Sequence, residues 1–387
     1  MKTLFFAVIA SIICFGIISK VMAQTSAVKV IKKLPVIDKE KSYPEKNFKP
    51  ETDVKYIPLE TRKDILLDQG AHIYYVSDKR ILITNWLRGD VFIFDMNGKS
   101  VSHFNQKGGL GYVRIDYAVY DEKSQEVFIL DEISRKIVVF TEKGSFKRTL
   151  HLPSNMYSGE IYSFDDSTLL VYNEYLYGEF TQKRPYFFIS KVDGKILSGL
   201  NIVFERVNSR ILVADHEGGK MAYEISVDFE GNCKYGDEFI LSNMSSDTVY
   251  ILKKDKTLTP YFVQYPTVFL DPPIITGVGM KTKDYIVFSI YPYDLKESKR
   301  MKELGIRPRR TVKFLMYEFK SGQFFTCSKW NYVVNKVDLP INTSVELIQP
   351  YVLKEWLKRD DLTGELKKIA SEIEVDANPI IKLIRFK

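Results

Sequence analysis

Residues 126–150, "EVFILDEISRKIVVFTEKGSFKRTL", repeat the pattern of residues 80–104, "RILITNWLRGDVFIFDMNGKSVSHF", about 46 positions upstream. Each copy reads as a strand, a polar loop, a second strand, a short turn ending in glycine, and a returning strand. Ile81, Leu82 and Ile83 open the first copy and Val127 to Leu130 the second; "VFIFD" and "IVVFT" follow in the same slot. Gly98 and Gly144 then coincide as the positive-φ residue of a hairpin. Fainter copies continue as "TLLVYN" to "YFFISKVDGKILSGL", as "DTVYILKKDKTLTPYFV", and as "YIVFSI" to "VKFLMYEFKSGQFFTCS". A period of about 45 residues with several strands per unit is the signature of propeller blades, because a four-stranded sheet buries both faces only when it stacks on neighbours.

Five copies leave two strands over. "DVKYIPLE" near the start and "NPIIKLIRFK" at the end each lack a hairpin partner. Pairing them in one further blade closes the ring and removes exposed sheet edges. The predicted fold is therefore an all-β six-bladed β-propeller closed by N- and C-terminal strands, with one short C-terminal helix; seven blades is the alternative count. That helix spans 362–373 and puts Leu362, Leu366, Ile369, Ala370 and Ile373 on one face, so it covers the propeller, with Trp356 in the same contact. The 24 Tyr and 25 Phe residues suit strands better than helices.

The N-terminus has a different character. Lys2, an apolar run from Leu4 to Ile18 and the small-residue pattern Val21-Met22-Ala23 read as a signal peptide, residues 1–23, cleaved before Gln24. Acylation at Cys14 is the lesser reading, since Phe15 follows and the cysteine sits within the apolar run. No later stretch is long and apolar enough to span a bilayer, so the mature chain is expected to be soluble and periplasmic or secreted. Residues 24–50 read as a polar linker and 51–387 as the propeller domain. The formal charge of +7 falls by two without Lys2 and Lys20 and is spread thinly, unlike the concentrated basic face of a nucleic-acid binder. Cys233 and Cys327 remain, either paired in an oxidising compartment or buried as separate thiols.

The segments "YIPLETRKDILL", "VFIFDMNGKSVSHF" and "SDTVYIL", and the ending "ELKKIASEIEVDANPIIKLIRFK", together resemble the six-bladed propeller proteins exported by Bacteroidetes bacteria, a TolB-like or NHL-like group. The likeness covers nearly the whole mature chain, and the helix, Asn378-Pro379 and final strand are its most specific part. The resemblance implies an exported propeller but brings no catalytic residues with it. Members commonly carry Gly-Pro-Gly-Glu-Tyr after the first hairpin. Here Gly109-Leu110-Gly111-Tyr112-Val113 stands in that place, without the Pro or the Glu.

Motifs for chemistry are sparse. His72, His103, His151 and His216 have no metal-ligand spacing, no G-x-S-x-G elbow occurs, and "DMNG" and "KVDG" are turns rather than calcium loops. No metal or other cofactor is expected. The remaining signal is geometric. Loops joining the second strand to the third, and one blade to the next, gather around a channel mouth, a default binding position. They carry Trp86 and Arg88 in the first clear copy, Glu132 and Arg135 in the second, and Tyr175, Tyr177 and Arg184 in the third. A long insertion at 291–310 in the fifth adds Arg307, Arg309 and Arg310. Trp86, Arg88, Arg135, Tyr175, Tyr177, Arg184 and Arg309 are the candidate ligand-binding residues, of types that recognition surfaces favour; the structural alternative packs the aromatics between blades and pairs the arginines locally. Two classes follow. One is a non-catalytic, monomeric binding or scaffold propeller for an extracytoplasmic glycan, peptide or protein. The other is a propeller enzyme, such as a lyase, lactonase or glycan hydrolase, with residues drawn from several blades.

Overall fold

The computed structural model describes residues 34–68, 70–153, 158–173, 184–204, 212–214, 221–223, 231–243, 245–270, 274–292, 300–301, 303–305, 312–327 and 337–387. Its first strands, β1 (Val36–Asp38) and β2 (Thr52–Pro58), join sheets completed much later in the chain. Each repeat between them folds on itself. Blade 1 is β3 (Ala71–Val76), β4 (Ile81–Asn85), β5 (Asp90–Phe94) and β6 (Ser100–Asn105), in up-and-down antiparallel order. Blade 2 repeats it with β7 (Tyr117–Asp121), β8 (Glu126–Asp131), β9 (Lys136–Thr141) and β10 (Phe146–His151). Blade 3 is β11 (Ser158–Ser163), β12 (Thr168–Asn173), β13 (Tyr186–Ser190) and β14 (Ile196–Gly199), after which β15 (Leu212–Ala214) and β16 (Met221–Tyr223) make a separate hairpin. Blade 4 is β17 (Asn232–Tyr235), β18 (Glu238–Leu241), β19 (Thr248–Lys253) and β20 (Leu258–Tyr265). Blade 5 is β21 (Ile274–Lys281), β22 (Tyr285–Pro292), β23 (Lys313–Glu318) and β24 (Gln323–Cys327).

Blade 6 is closed from both ends of the chain, as the two unpartnered strands predict. β26 (Ile380–Phe386) lies between β25 (Thr343–Ile348) and β2, antiparallel to both, with Thr52 opposite Phe386 and Pro58 opposite Ile380. The six sheets form a six-bladed β-propeller. Its apolar clusters lie between blades: Ile83 and Phe92 of blade 1 pack with Val345 and Ile381 of blade 6, and Leu82 and Ile93 with Val127 and Val138 of blade 2. Central strands are covered on both faces, which explains why "ILIT" and "VFIF" are continuous apolar runs rather than alternating ones.

The repeated hairpin glycine has two roles. Gly98 and Gly144 have φ of 78° and 82°, as their turn slot requires. Each hairpin tip also rests on the preceding blade. A Cβ on Gly98 would lie 2.0 Å from the Pro58 carbonyl oxygen of blade 6, and one on Gly144 would lie 2.5 Å from the Phe104 side chain of blade 1.

The axis is not an open channel at every level. Asp338, in the segment leading to β25, forms a bridge with Tyr75 of β3, and Leu339 forms one with Tyr235 of β17. Blades 1 and 4 stand opposite each other in a ring of six, so a segment bonded to both crosses the axis.

Two expectations change and one open alternative is settled. Part of the stretch expected as a polar linker, from Pro35 onward, belongs to the domain. β1 adds a parallel fifth strand to the edge of β20, Glu45 bridges to Thr326 of blade 5, and Phe48 packs on Tyr285 and Phe386. Two apolar residues, Ile37 and Phe48, anchor this strap in an otherwise polar composition. The C-terminal region holds two helices, α1 (Pro350–Lys358) and α2 (Gly364–Glu372), the first of which has Pro350 at its start. Trp356, Leu366, Ile369 and Ile373 pack with Ile348 and Ile380, so the pair covers blade 6 as expected of the single helix. Finally, Cys233 and Cys327 are separate buried thiols. Cys233 Sγ lies 3.4 Å from the Val278 carbonyl oxygen, and burial pushes the Cys327 thiol up to about 11.

Candidate functional site

Every blade is up-and-down, so its connections fall on two faces. Turns between the first and second strands, and between the third and fourth, share the turn face; the other connections share the crossover face. The turn between the first and second strands carries or adjoins an aspartate in five blades: Asp78, Asp121, Asp165, Asp237 and Asp284. Between blades 2, 3 and 4 these turns enclose a cleft of about 680 Å³ on the turn face, large enough for a small ligand. Asp121 and Lys123 come from blade 2, Ser163 to Ser167 from blade 3, and Lys234, Gly236, Asp237, Phe239 and Lys254 from blade 4.

The walls of the cleft are built from paired charges. Lys191, 4 % exposed, donates to Asp121 Oδ2 at 2.7 Å, Ser163 Oγ at 2.8 Å and the Asp165 carbonyl at 2.6 Å. Three acceptors around one ammonium compensate its desolvation and tie blade 2 to blade 3. Lys234 Nζ reaches Asp338 Oδ2 at 2.5 Å at the axial end. Burial raises the Asp338 carboxyl, and Lys234 works against that. On the open rim Lys123 pairs with Asp166, and Lys254 faces Asp237 at 3.4 Å. The bond from Lys123 holds the Asp166 carboxyl below its usual range. For Asp165 burial acts upward, but bonds from Thr168 and Ser167 outweigh it and the carboxyl again lies low. Phe164 and Phe239 stack under the cleft with centroids 5.4 Å apart. Among the described residues no group of three or more His, Cys, Asp or Glu side chains is placed to hold a metal.

The sequence-derived candidates lie elsewhere. Trp86 and Arg88 sit on the connection from β4 to β5 and Arg135 on that from β8 to β9, so all three are on the crossover face. Trp86 is exposed. Arg88 Nε meets Asp90 Oδ2 at 2.7 Å and Asp68 Oδ2 at 3.6 Å, and its Nη2 bonds the Leu66 carbonyl. Its guanidinium thus clamps its own loop to the segment before β3. Arg135 closes the turn begun at Glu132, with φ of 51°. Arg184 is exposed just before β13. Tyr175, Tyr177, Arg307, Arg309 and Arg310 lie outside the described residues. Within the insertion, Leu304 N donates to the Arg300 carbonyl at 3.1 Å and Gly305 has φ of 68°. Sequence reading missed the turn-face cleft, although an aspartate recurs in one slot of the repeat.

A family model described as "Domain of unknown function (DUF4934)" matches residues 34–385. No curated protein matches the chain. Among solved structures, a candidate exported protein of Bacteroides fragilis NCTC 9343 superposes with a TM-score of 0.60 at 13% identity, over 91% of this chain and 99% of its own. A member of the duf4221 family from Bacteroides vulgatus gives 0.47 at 10% identity, over 87% and 99%. Virginiamycin B lyase from Staphylococcus aureus gives 0.40 at 11% identity, over 86% and 99%.

Proposed function

The chain belongs to the DUF4934 family, and from that premise we propose that it is an exported, non-catalytic binding propeller whose turn-face cleft receives a peptide carrying both signs of charge. One observation carries the reading: each side of the cleft presents an exposed ion pair, Lys123 with Asp166 and Lys254 with Asp237. Exposed pairs are worth little to the fold, so a ligand offering the opposite charges can exchange partners with them at low cost. The Asp165 and Asp166 carboxyls lie low, so neither suits the role of general acid. Export rests on the N-terminal run and the Val21-Met22-Ala23 pattern, in keeping with the Bacteroidetes-type resemblance. An array of mixed-charge peptides and glycans finds the ligand, and Lys123→Ala and Asp237→Ala then each weaken it by about tenfold at unchanged melting temperature. Mass spectrometry of the exported chain finds Gln24 first; a lipid on Cys14 would replace the soluble assignment.

The enzymatic alternative has one observation in its favour, the raised Asp338 carboxyl beside Lys234 at the axial end of the cleft. Turnover of a lactone, glycan or peptide that disappears in Asp338→Asn, with the fold retained, would establish it.

A further inference from the structure

The crossover face of blades 1 and 2 carries large apolar side chains on consecutive loops, all pointing into solvent. Leu110 is 81 % exposed, Ile133 57 % and Leu87 56 %, and Trp86, Val113 and Leu66 are exposed beside them. These loops form one surface. Arg88 Nη2 joins the loop at 86–89 to the Leu66 carbonyl. Lys107 Nζ bonds the Leu87 carbonyl at 3.0 Å and Tyr112 Oη the Gly89 carbonyl at 2.6 Å. Val113 N donates to Asp131 Oδ2 at 2.7 Å, which brings in the turn bearing Ile133. A single exposed leucine needs no explanation, but a contiguous set does.

The shape and the charge order of this surface identify what it meets. Its apolar groups are protruding tips rather than the walls of a groove: Cβ atoms added at Gly108 and Gly109, next to Leu110, would meet nothing within 4 Å. A rigid protein partner would need a separate pocket for each tip, whereas a bilayer yields around them. The charges are layered as well. The Arg88 side chain is 43 % exposed and its partner Asp90 11 %; Arg114 and Asp116 show the same order. Asp131 is fully buried, held by the backbone N–H groups of Val113 and Ser134. Asp68 is as exposed as Arg88, and Glu132 is a quarter exposed, but Arg88, Lys107, Arg114 and Arg135 outnumber these carboxylates beside the apolar tips. Apolar and Trp tips ringed by cations are the pattern of a face that seats in the headgroup layer of an anionic bilayer.

We propose that this face is a peripheral membrane-docking surface, by which the propeller rests on an anionic lipid bilayer with its turn-face cleft directed away from the lipid. It requires no spanning segment, and among the described residues no helix is long and apolar enough to cross a membrane.

The test uses the chain from Gln24 onward, without the apolar N-terminal run that would itself enter lipid. Vesicles of phosphatidylcholine mixed with phosphatidylglycerol are sedimented with this chain and with a Leu87→Ser/Leu110→Ser/Ile133→Ser variant. The unaltered chain is expected to co-sediment, with a blue shift in tryptophan fluorescence that Trp86→Phe reduces. The triple variant is expected to lose at least about tenfold in partitioning at an unchanged melting temperature. Leu110→Ser alone serves if the triple variant melts lower, since that side chain touches least. Failure of the unaltered chain to sediment, or equal sedimentation of a folded variant, overturns the proposal. Neither result bears on peptide binding in the cleft, which is measured without lipid.

Discussion

Blades 2 and 6 use the same architecture and differ in how the chain supplies it. Blade 2 comes from one stretch, with each strand pairing its sequence neighbour from Tyr117 to His151. Blade 6 takes β2 from the start of the domain and β25 and β26 from its end, and the paired residues Thr52 and Phe386 stand at opposite ends of the chain. A local blade forms by closing short loops, and a split blade forms only after the entire ring has brought its ends together. The consequence is an unequal distribution of risk. Damage to blade 2 costs the interactions lost there, whereas damage to blade 6 opens the ring.

Deleting residues 380–387 should have the largest effect. It removes the strand between β2 and β25 and should abolish cooperative thermal unfolding; a sharp melt would show that the ring holds without its closing strand. Next is Gly98→Ala, at the seam of blades 1 and 6. Its positive φ adds strain and its Cβ meets the Pro58 carbonyl, which the backbone holds in place, so about 4 kcal/mol is expected. Gly144→Ala, at the seam of blades 2 and 1, meets Cβ and Cγ of the buried Phe104 at 2.5 Å, a wider approach than the 2.0 Å at Pro58, and should cost somewhat less, about 3 kcal/mol. Equal losses in urea melts would show that the two seams are equivalent.

Within blade 2 the sharpest probe is electrostatic. Glu126 is buried and takes Arg148 Nη1 and Nη2 at 2.8 and 2.7 Å, with Lys147 on the same carboxylate. Arg148 is the main cause that pushes its carboxyl from 4.5 down to about 2. The folded-state value lies below the unfolded one, so this stability is fully present above pH 4.5 and is lost as pH falls toward 2. About 3 kcal/mol of acid dependence is expected, and Glu126→Gln should flatten stability over that window. The smallest effect lies outside the blades, in the strap. Ile37→Ala should cost about 2 kcal/mol, at the low end for a buried aliphatic because a three-residue strand can settle. No measurable change would return the strap to the role of a polar linker.

Legibility followed the distance between interacting residues. The hairpin glycines, the apolar central strands and the helix packed through Leu366 and Ile369 follow from neighbours in sequence, and all were readable. β1 was not, because three residues in a polar stretch carry no period and gain their place from the edge of β20. For the candidate site, aromatic and Arg residues drew the reading to the crossover face, where Arg88 turned out to be a local clamp. Trp86 is exposed on that face. The cleft joins Asp121, Asp165 and Asp237, which look like separate turn residues until three blades stand side by side.

By itself the sequence determined the repeat, the strand order within each blade and the closure of the ring by its two ends, because periodicity and pairing obey short-range rules. Only the tertiary structure decided which carboxylates keep a partner, that the segment through Asp338 crosses the axis to bond β3 and β17, and which loop tips stand together in solvent. Those are matters of distance between residues far apart in the chain, set by the stacking angle of six sheets, and no local pattern encodes that angle.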